Sequence, residues 1–223
     1  MSDKATGHNV VGGEDHIASL SPGEQQLLAR LCQVGGGRAG RALATILGES
    51  NVHVDLYDAG LREHTLATSE LAGDDTRMIG VLFDLTGSFE GHLTMLLGED
   101  GAMSLVRRLL RTDSVYTADG ALTDDARGAL AEVGNIVASA FLNAFADALR
   151  TPWLPSPPRL IHDRAEIILA AVKGRGIADR ALAIALDAQI RTDGARVRGQ
   201  LLFLPSAPVL HNLLRAARNS VAP

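Results

Sequence analysis

The sequence predicts an α+β fold in which two pseudo-symmetric αβββ-type repeats form one mainly antiparallel sheet with two long helices alongside. Three observations favour this fold class. Residues 20–47 align with residues 122–149 without a gap, at a constant offset of 102 residues (122 − 20). The predicted order of a long helix, three strands and a short helix occurs twice in the 223 residues. Short links join the strands, and such links suit antiparallel pairing because parallel pairs need long crossovers.

The first repeat (20–112) begins with a predicted helix whose start is marked by Ser21, Pro22 and Glu24. Serine caps a helix, proline suits its first turn, and glutamate three residues after the cap completes a capping box. Gly48 is typical of a helix end. The expected apolar face of this helix consists of Leu27, Leu28, Leu31, Val34, Leu43, Ile46 and Leu47. Aliphatic or alternating segments then predict strands at 52–57, 77–85 and 91–97, a turn at 86–91 and a helix at 101–111.

The second repeat (122–218) follows the same order. Thr123 is expected to cap a helix that reaches about Arg150, with Asp124 and Asp125 in the first turn, where negative charge suits the helix dipole. Four prolines within residues 151–158 end this helix. Its expected core stripe consists of Ala126, Leu130, Val133, Val137, Phe141, Ala144 and Ala148. Strands are predicted at 165–173, 181–191 and 197–204, turns at 173–176 and 191–194, and a closing helix at 208–218.

Composition narrows the class of protein. The formal net charge of −5 does not favour a nucleic-acid partner, and the hydrophobic fraction of 46% is ordinary for a globular protein. Cys32 is the one cysteine and lies among aliphatic residues, so we expect a buried thiol in a cytoplasmic protein. Residues 1–17 are polar and resemble neither a signal peptide nor a membrane helix. We therefore expect a flexible N-terminal tail at 1–17 before one domain at 18–223.

A polar surface is predicted on the long helix of the second repeat. Glu132 and Asn135 are expected about 60° apart around the helix axis, because each residue advances by about 100°. Gly128, Ser139 and Asn143 fall on the same face, and the expected core stripe lies elsewhere. This face could be a working surface. An incidental polar pair on a solvated helix would give the same pattern, and spacing alone does not separate the two interpretations.

Three glycines at 35–37 are unusual inside a predicted helix, because each costs roughly 1 kcal/mol relative to alanine. Close packing of this helix against its twin or against the sheet would offset that cost. Residues 35–40 also match the GxGxxG pattern of dinucleotide-binding loops, but that pattern needs a strand before it, and here a helical pattern runs through it. The seven histidines are scattered, so no metal site is predicted. Arg107, Arg108 and Arg111 form either a solvated face or a docking surface for an acidic partner.

Residues 132–136 (Glu-Val-Gly-Asn-Ile) and Pro157 together resemble the signature of the CheC/CheX/FliY family of chemotaxis phosphatases. That signature is aspartate or serine, glutamate four residues later, asparagine three further on, and proline 22 residues after the asparagine. The resemblance covers about residues 20–218. It departs from the family at Gly128, where the family has aspartate or serine. The four motif positions of the first repeat hold Gln26, Arg30, Gln33 and Asp55. The resemblance therefore implies one active centre at most, in the second repeat.

The resemblance implies that Glu132 and Asn135 are a catalytic pair that hydrolyses the aspartyl phosphate of a CheY-like response regulator in chemotaxis signalling. The receiver would supply the acyl phosphate and Mg²⁺, so no cofactor or metal of the chain's own is expected. Asn135 would orient the attacking water, because an amide donates and accepts hydrogen bonds at once and never titrates. Glu132 would hold the receiver through its active-site lysine. Gly128 and Pro157 would be structural positions of the motif.

A second interpretation is a non-catalytic binding module of the same fold. Such a module would partner a CheD-like deamidase or belong to a flagellar-switch complex, as FliM-like middle domains do. The loss of the family's acid or hydroxyl at Gly128 and the altered first repeat favour this alternative. Neither nucleic acid nor a membrane is an expected partner under either interpretation.

Overall fold

Five helices and seven strands occur in the described part of this computed structural model, which comprises residues 21–63, 77–87, 90–150, 152–173, 182–194 and 196–219. The helices are α1 (Pro22–Leu47), α2 (Glu99–Leu110), α3 (Asp124–Leu149), α4 (Ala165–Lys173) and α5 (Ala207–Asn219). The strands are β1 (His53–Glu63), β2 (Arg77–Gly87), β3 (Gly91–Gly98), β4 (Trp153–Pro155), β5 (Arg159–Arg164), β6 (Leu182–Arg191) and β7 (Arg196–Pro205). The predicted tail at 1–17, most of the predicted turn at 173–176 and part of that at 86–91 lie outside the described residues.

Both long helices begin at the predicted caps. The backbone N–H of Ser21 donates to Glu24 Oε2 at 2.7 Å, and the N–H of Glu24 donates to Ser21 Oγ at 3.4 Å, which completes the capping box. Helix α1 ends at Gly48, whose φ of 66° is left-handed. At the start of α3 the N–H of Ala126 donates to Thr123 Oγ1 at 3.2 Å. These local signals are confirmed.

The sheet is antiparallel throughout its described pairings. Its strand order is β1-β6-β7-β3-β2-β4, and β5 pairs with the same edge of β2 as β4 does. The two repeats meet where β3 pairs with β7. On one side β1 of the first repeat pairs with β6, and on the other β5 of the second repeat pairs with β2. This symmetrical order confirms the predicted α+β fold of two repeats sharing one sheet.

The predicted strand at 165–173 is wrong, because this segment forms α4. Its buried residues are Ala165, Ile168 and Val172, spaced by three and four, which is the period of a helix face and not of a strand. A Cβ on Gly80 would stand 2.5 Å from Ile168 Cγ2, so α4 lies directly on β2. Strand β4 instead comes from the proline-rich segment that is expected only to end α3, and β5 comes from the residues directly after it. Proline is tolerated in short edge strands of this kind.

The sheet buries apolar side chains on both faces. The larger cluster lies between one face and helices α1, α2, α3 and α5, and the smaller one lies between the other face and α4. Aromatic rings concentrate in the larger cluster. The ring centroids of Phe141 and Phe145 are 4.4 Å apart, and Phe203 lies 5.7 Å from Phe145 and 5.2 Å from Trp153. These contacts bind the C-terminal half of α3 to the centre of the sheet.

The glycines of α1 permit close packing, as the sequence predicts. A Cβ on Gly35 would stand 3.1 Å from the Cα of Phe141 on α3, and one on Gly40 would stand 3.1 Å from the carbonyl oxygen of Val52 beside β1. Helix α1 therefore packs against both its twin and the sheet. The dinucleotide-loop interpretation is wrong, because the glycines lie in the middle of a continuous helix.

Helix α3 is the one helix, within the described residues, that is long and apolar enough to cross a membrane. Of its apolar stretch, 56% is nevertheless buried inside the protein. Its apolar character thus agrees with the core helix of a soluble protein.

Candidate functional site

Close contact with the sheet fixes the rotation of α3. A Cβ on Gly134 would stand 2.7 Å from Val81 Cγ1, and the neighbouring Leu130 and Val133 are completely buried. The opposite face must point away from β2. Glu132 is exposed on that face and Asn135 is half-buried. The two residues therefore lie on the outward side of α3, as the helical spacing predicts.

The side chains of Glu132 and Asn135 make no hydrogen bond or ion pair with another residue in the part of the chain that the structure describes. A half-buried amide without an internal partner keeps its donor and acceptor available. The carboxylate of Glu132 can likewise receive a cation or a donor from outside. The pair can thus offer an acceptor and an amide to the same approaching molecule.

Gly128 lies on the exposed side of α3, one turn before Glu132. A Cβ built at this position would meet nothing within 4 Å. No close contact with another described residue therefore requires a glycine at position 128. The space is available for the aspartate or serine side chain that the family signature carries.

Pro157 is exposed in the loop between β4 and β5. The preceding Ser156 fixes this loop on β2: its N–H donates to the carbonyl oxygen of Asp84 at 2.8 Å, and its Oγ accepts from the N–H of Asp84 at 3.0 Å. The Oγ of Ser156 also donates to the carbonyl oxygen of Pro157 at 3.1 Å. Trp153 of β4 in turn packs against Phe145 of α3, with ring centroids 6.1 Å apart.

The corresponding surface of the first repeat has different chemistry. Its exposed residues on α1 are Gln26, Arg30 and Gln33. The fourth motif position, Asp55, lies inside β1 and forms an ion pair with Arg191 at 2.7 Å. Asp55 is hydrogen-bonded in a strand, whereas Pro157 lies in a loop, so the two positions are not structurally equivalent. The α1 face that carries Gln33 borders an open groove of about 630 Å³ between α1 and β1.

A hydrogen-bonded cluster links α2, β5 and the segment before α3, and sequence reasoning missed it. Tyr116 donates its hydroxyl to Glu99 Oε1 at 2.7 Å, and His162 Nε2 lies 2.8 Å from the same oxygen. Tyr116 also forms a β-bridge with Leu122, immediately before the cap of α3. The three residues come from distant parts of the chain, so no local pattern could reveal them.

The electrostatics of this cluster favour an ionised Glu99. Burial acts to raise the pKa of Glu99, but the hydrogen bond from Tyr116, the charge and hydrogen bond of His162 and the charge of Arg77 together lower it. Burial, followed by the hydrogen bond to Glu99 and the charge of Glu99, raises the pKa of Tyr116 to about 12. Tyr116 therefore remains a hydrogen-bond donor at neutral pH.

Of the three clustered arginines at the C-terminal end of α2, Arg108 is paired within the protein. Arg108 binds Glu49 through two guanidinium nitrogens, with Nε 3.0 Å from Glu49 Oε1. Arg111 ends the helix in a left-handed conformation with a φ of 52°. The docking interpretation of this cluster stays a prediction, with Arg108 already bound to Glu49. Within the described residues, no group of three or more His, Cys, Asp or Glu side chains is placed to hold a metal ion.

No protein-family model matches the sequence. CheC1 of Halobacterium salinarum, a proposed CheY-P phosphatase, is 23% identical over 140 residues, which are 63% of this chain and 70% of that protein. Thermotoga maritima FliY superposes with a TM-score of 0.68 at 13% identity, over 90% of this chain and 98% of that one. The chain is thus CheC/CheX/FliY-like. The resemblance found in the sequence is confirmed.

The same fold also occurs in the FliM middle domain. The FliM middle domain of H. pylori superposes with a TM-score of 0.66 at 11% identity, over 88% of this chain and 99% of that one. At such low identity the similarity shows the fold alone. The CheC-like fold by itself does not distinguish a phosphatase from a binding module.

Proposed function

We propose that this chain hydrolyses the aspartyl phosphate of a CheY-like response regulator, with one active centre on α3. The observation that carries the proposal is the outward pair of Glu132 and Asn135, which has no partner within the described chain. The sequence similarity to CheC1, a proposed CheY-P phosphatase, supports the same reaction. The chain would act in the cytoplasm, in chemotaxis signalling.

In this mechanism the receiver supplies the acyl phosphate and its Mg²⁺, and this chain supplies placement. Asn135 enters the receiver's site and holds a water in line with the phosphorus, accepting a hydrogen bond from that water through the amide oxygen. Glu132 binds the receiver's active-site lysine and keeps Asn135 at the correct distance. Placement of this kind can contribute several kcal/mol to the lowering of a barrier. No covalent enzyme intermediate is required.

The rate at which a CheY-like receiver loses a labelled phosphate, with and without this protein, tests the proposal. Asn135→Ala should abolish the acceleration, and circular dichroism should show an unchanged fold because the residue lies outside the core. Glu132→Ala should also weaken binding to the phosphorylated receiver. Full acceleration by the Asn135→Ala variant would show that the proposed mechanism is wrong.

The second candidate is a non-catalytic binding module in a chemotaxis or flagellar-switch complex. The observation that favours it is Gly128: space is available for a side chain, yet the acid or hydroxyl of the family signature is missing. The similarity in fold to the FliM middle domain agrees with this alternative. Binding of a receiver, a CheD-like deamidase or a switch component without any turnover would identify it.

A further inference from the structure

Three arginines lie at one end of the sheet. Strands β2 and β7 both run antiparallel to β3 on its two sides, so their first residues flank the point where β3 ends. Arg77 begins β2, and Arg196 and Arg198 lie at the start of β7. Together with Glu99 and Asp100 at the start of α2, these arginines line a cavity of about 330 Å³. We call this cavity the arginine pocket.

The three arginines of the arginine pocket form no close ion pair within the described chain, although the charge of Arg77 acts on Glu99. Arg77, Arg196 and Arg198 are exposed, and none has a carboxylate oxygen within ion-pair distance among the described residues. Glu99 already receives hydrogen bonds on one oxygen from Tyr116 and His162. The pocket therefore presents three guanidinium groups and two carboxylates, in a chain whose formal net charge is −5.

We propose that the arginine pocket docks an acidic segment of a protein partner. Guanidinium groups pair with carboxylates through two parallel hydrogen bonds, and arginine is well suited to such contacts at interfaces. Strands β2 and β7 are two strand spacings apart, which is roughly 10 Å. Three extended residues cover about the same distance at about 3.3 Å each. A short acidic run can therefore reach both sides, whereas one phosphate group would need the long side chains to converge.

The pocket lies on β2, β7 and α2, whereas Glu132 and Asn135 lie on α3. The proposal therefore concerns a second surface and does not depend on phosphatase activity. A partner docked at the pocket could leave the outward face of α3 free for a receiver.

Fluorescence anisotropy of a labelled oligoglutamate peptide, titrated with the full chain, tests the proposal. Arg196→Glu/Arg198→Glu should weaken binding by about tenfold or more, which corresponds to about 1.4 kcal/mol. The matched control is Arg30→Glu/Arg41→Glu, which changes the net charge equally at two exposed arginines of α1. The control should bind within twofold of the unmodified chain. Raising the salt from a low concentration to about 0.15 M should weaken binding of the unmodified chain, because exposed charges are screened.

Three outcomes would overturn the proposal. One is that the unmodified chain does not bind oligoglutamate more tightly than a labelled oligolysine peptide. A second is an equal loss of binding in both double variants, which would indicate attraction by overall charge and not by this pocket. The third is complete displacement of the peptide by millimolar inorganic phosphate at constant ionic strength, which would indicate a site for a small oxyanion.

Discussion

Gly36 and Val54 meet at a distance that excludes any side chain on the glycine. A Cβ on Gly36 would stand 2.4 Å from the carbonyl oxygen of Val54, well inside van der Waals contact. Gly37, the next residue, is exposed, and a Cβ there would meet only Arg41 Nη1, at 3.6 Å. Two adjacent glycines of one helix thus stand in opposite environments.

This difference predicts opposite effects of the same substitution. Gly36→Ala should destabilise the protein by about 1–3 kcal/mol, because the added methyl group forces α1 away from β1. Gly37→Ala should stabilise it by up to about 1 kcal/mol through higher helix propensity. Urea unfolding of the two variants beside the unmodified chain measures both effects. Equal effects of the two substitutions would contradict the close contact.

Gly128→Ser should raise phosphatase efficiency if the proposed function is correct, mainly through tighter binding of the receiver. The added hydroxyl would occupy open space on the docking face. Serine should also stabilise the helix by about a few tenths of a kcal/mol relative to glycine. Turnover measured against receiver concentration separates binding from catalysis. If the serine variant is no better, Gly128 is not simply a missing part of the site.

Substitutions on the matching face of α1 should leave turnover unchanged. Arg30→Ala and Gln33→Ala remove exposed side chains from a surface whose arginine would repel a receiver lysine. The measurement is the dephosphorylation rate of the receiver with each α1 variant, compared with its rate with the Asn135→Ala variant. A large loss from either α1 variant, with unfolding free energy preserved, would place the working surface on the first repeat.

The stability of the fold should fall in acid partly because of Glu99. Its pKa is lower in the folded state than the usual value near 4.5. The stabilisation is therefore present above that value and is lost as the pH falls through the lower, folded pKa. Glu99→Gln should remove this part of the pH dependence. Urea unfolding between neutral pH and about pH 3 should show a smaller acid-induced loss in the variant, and equal losses would contradict the cluster.

Cys32 should resist thiol reagents in the native protein. The side chain is 1% exposed, and burial raises the pKa of its thiol to about 12. At pH 8 very little of this thiol would be thiolate, and the thiolate is the reactive form. A colorimetric disulfide reagent should therefore react slowly with the native protein and rapidly in concentrated urea. Rapid reaction without denaturant would show that α1 opens.

Features set by neighbouring residues could be predicted from the sequence. The caps at Ser21 and Thr123 depend on side chains within three residues, and the structure confirms both. The aliphatic segment 165–173 was misassigned because short apolar runs fit a strand or a helix equally, and packing on β2 decided between them. On α1, Val34 and Ile46 remain 45% and 43% exposed although they follow the apolar period. Gly35, Gly36 and Gly40 lie on the packed side of that helix instead.

The same distinction between local and long-range features applies to the candidate functional site. The outward direction of Glu132 and Asn135 follows from helical spacing, whereas their catalytic roles and the structural role of Pro157 stay predictions. The Glu99 cluster and the arginine pocket combine residues from both repeats, which only the folded sheet brings together. Such long-range arrangements leave no periodic signal in the sequence.

The symmetrical strand order means that each repeat pairs strands from its own start with the hairpin of the other repeat. Strand β1 pairs with β6, and β5 pairs with β2, while the β2–β3 and β6–β7 hairpins stand side by side. The chain therefore has the topology of a strand-swapped dimer whose two protomers are joined by a tether at 111–123. Neither half alone could complete its sheet. The α1 and α3 faces can consequently carry different residues, as they do here, while both halves are needed for the shared sheet.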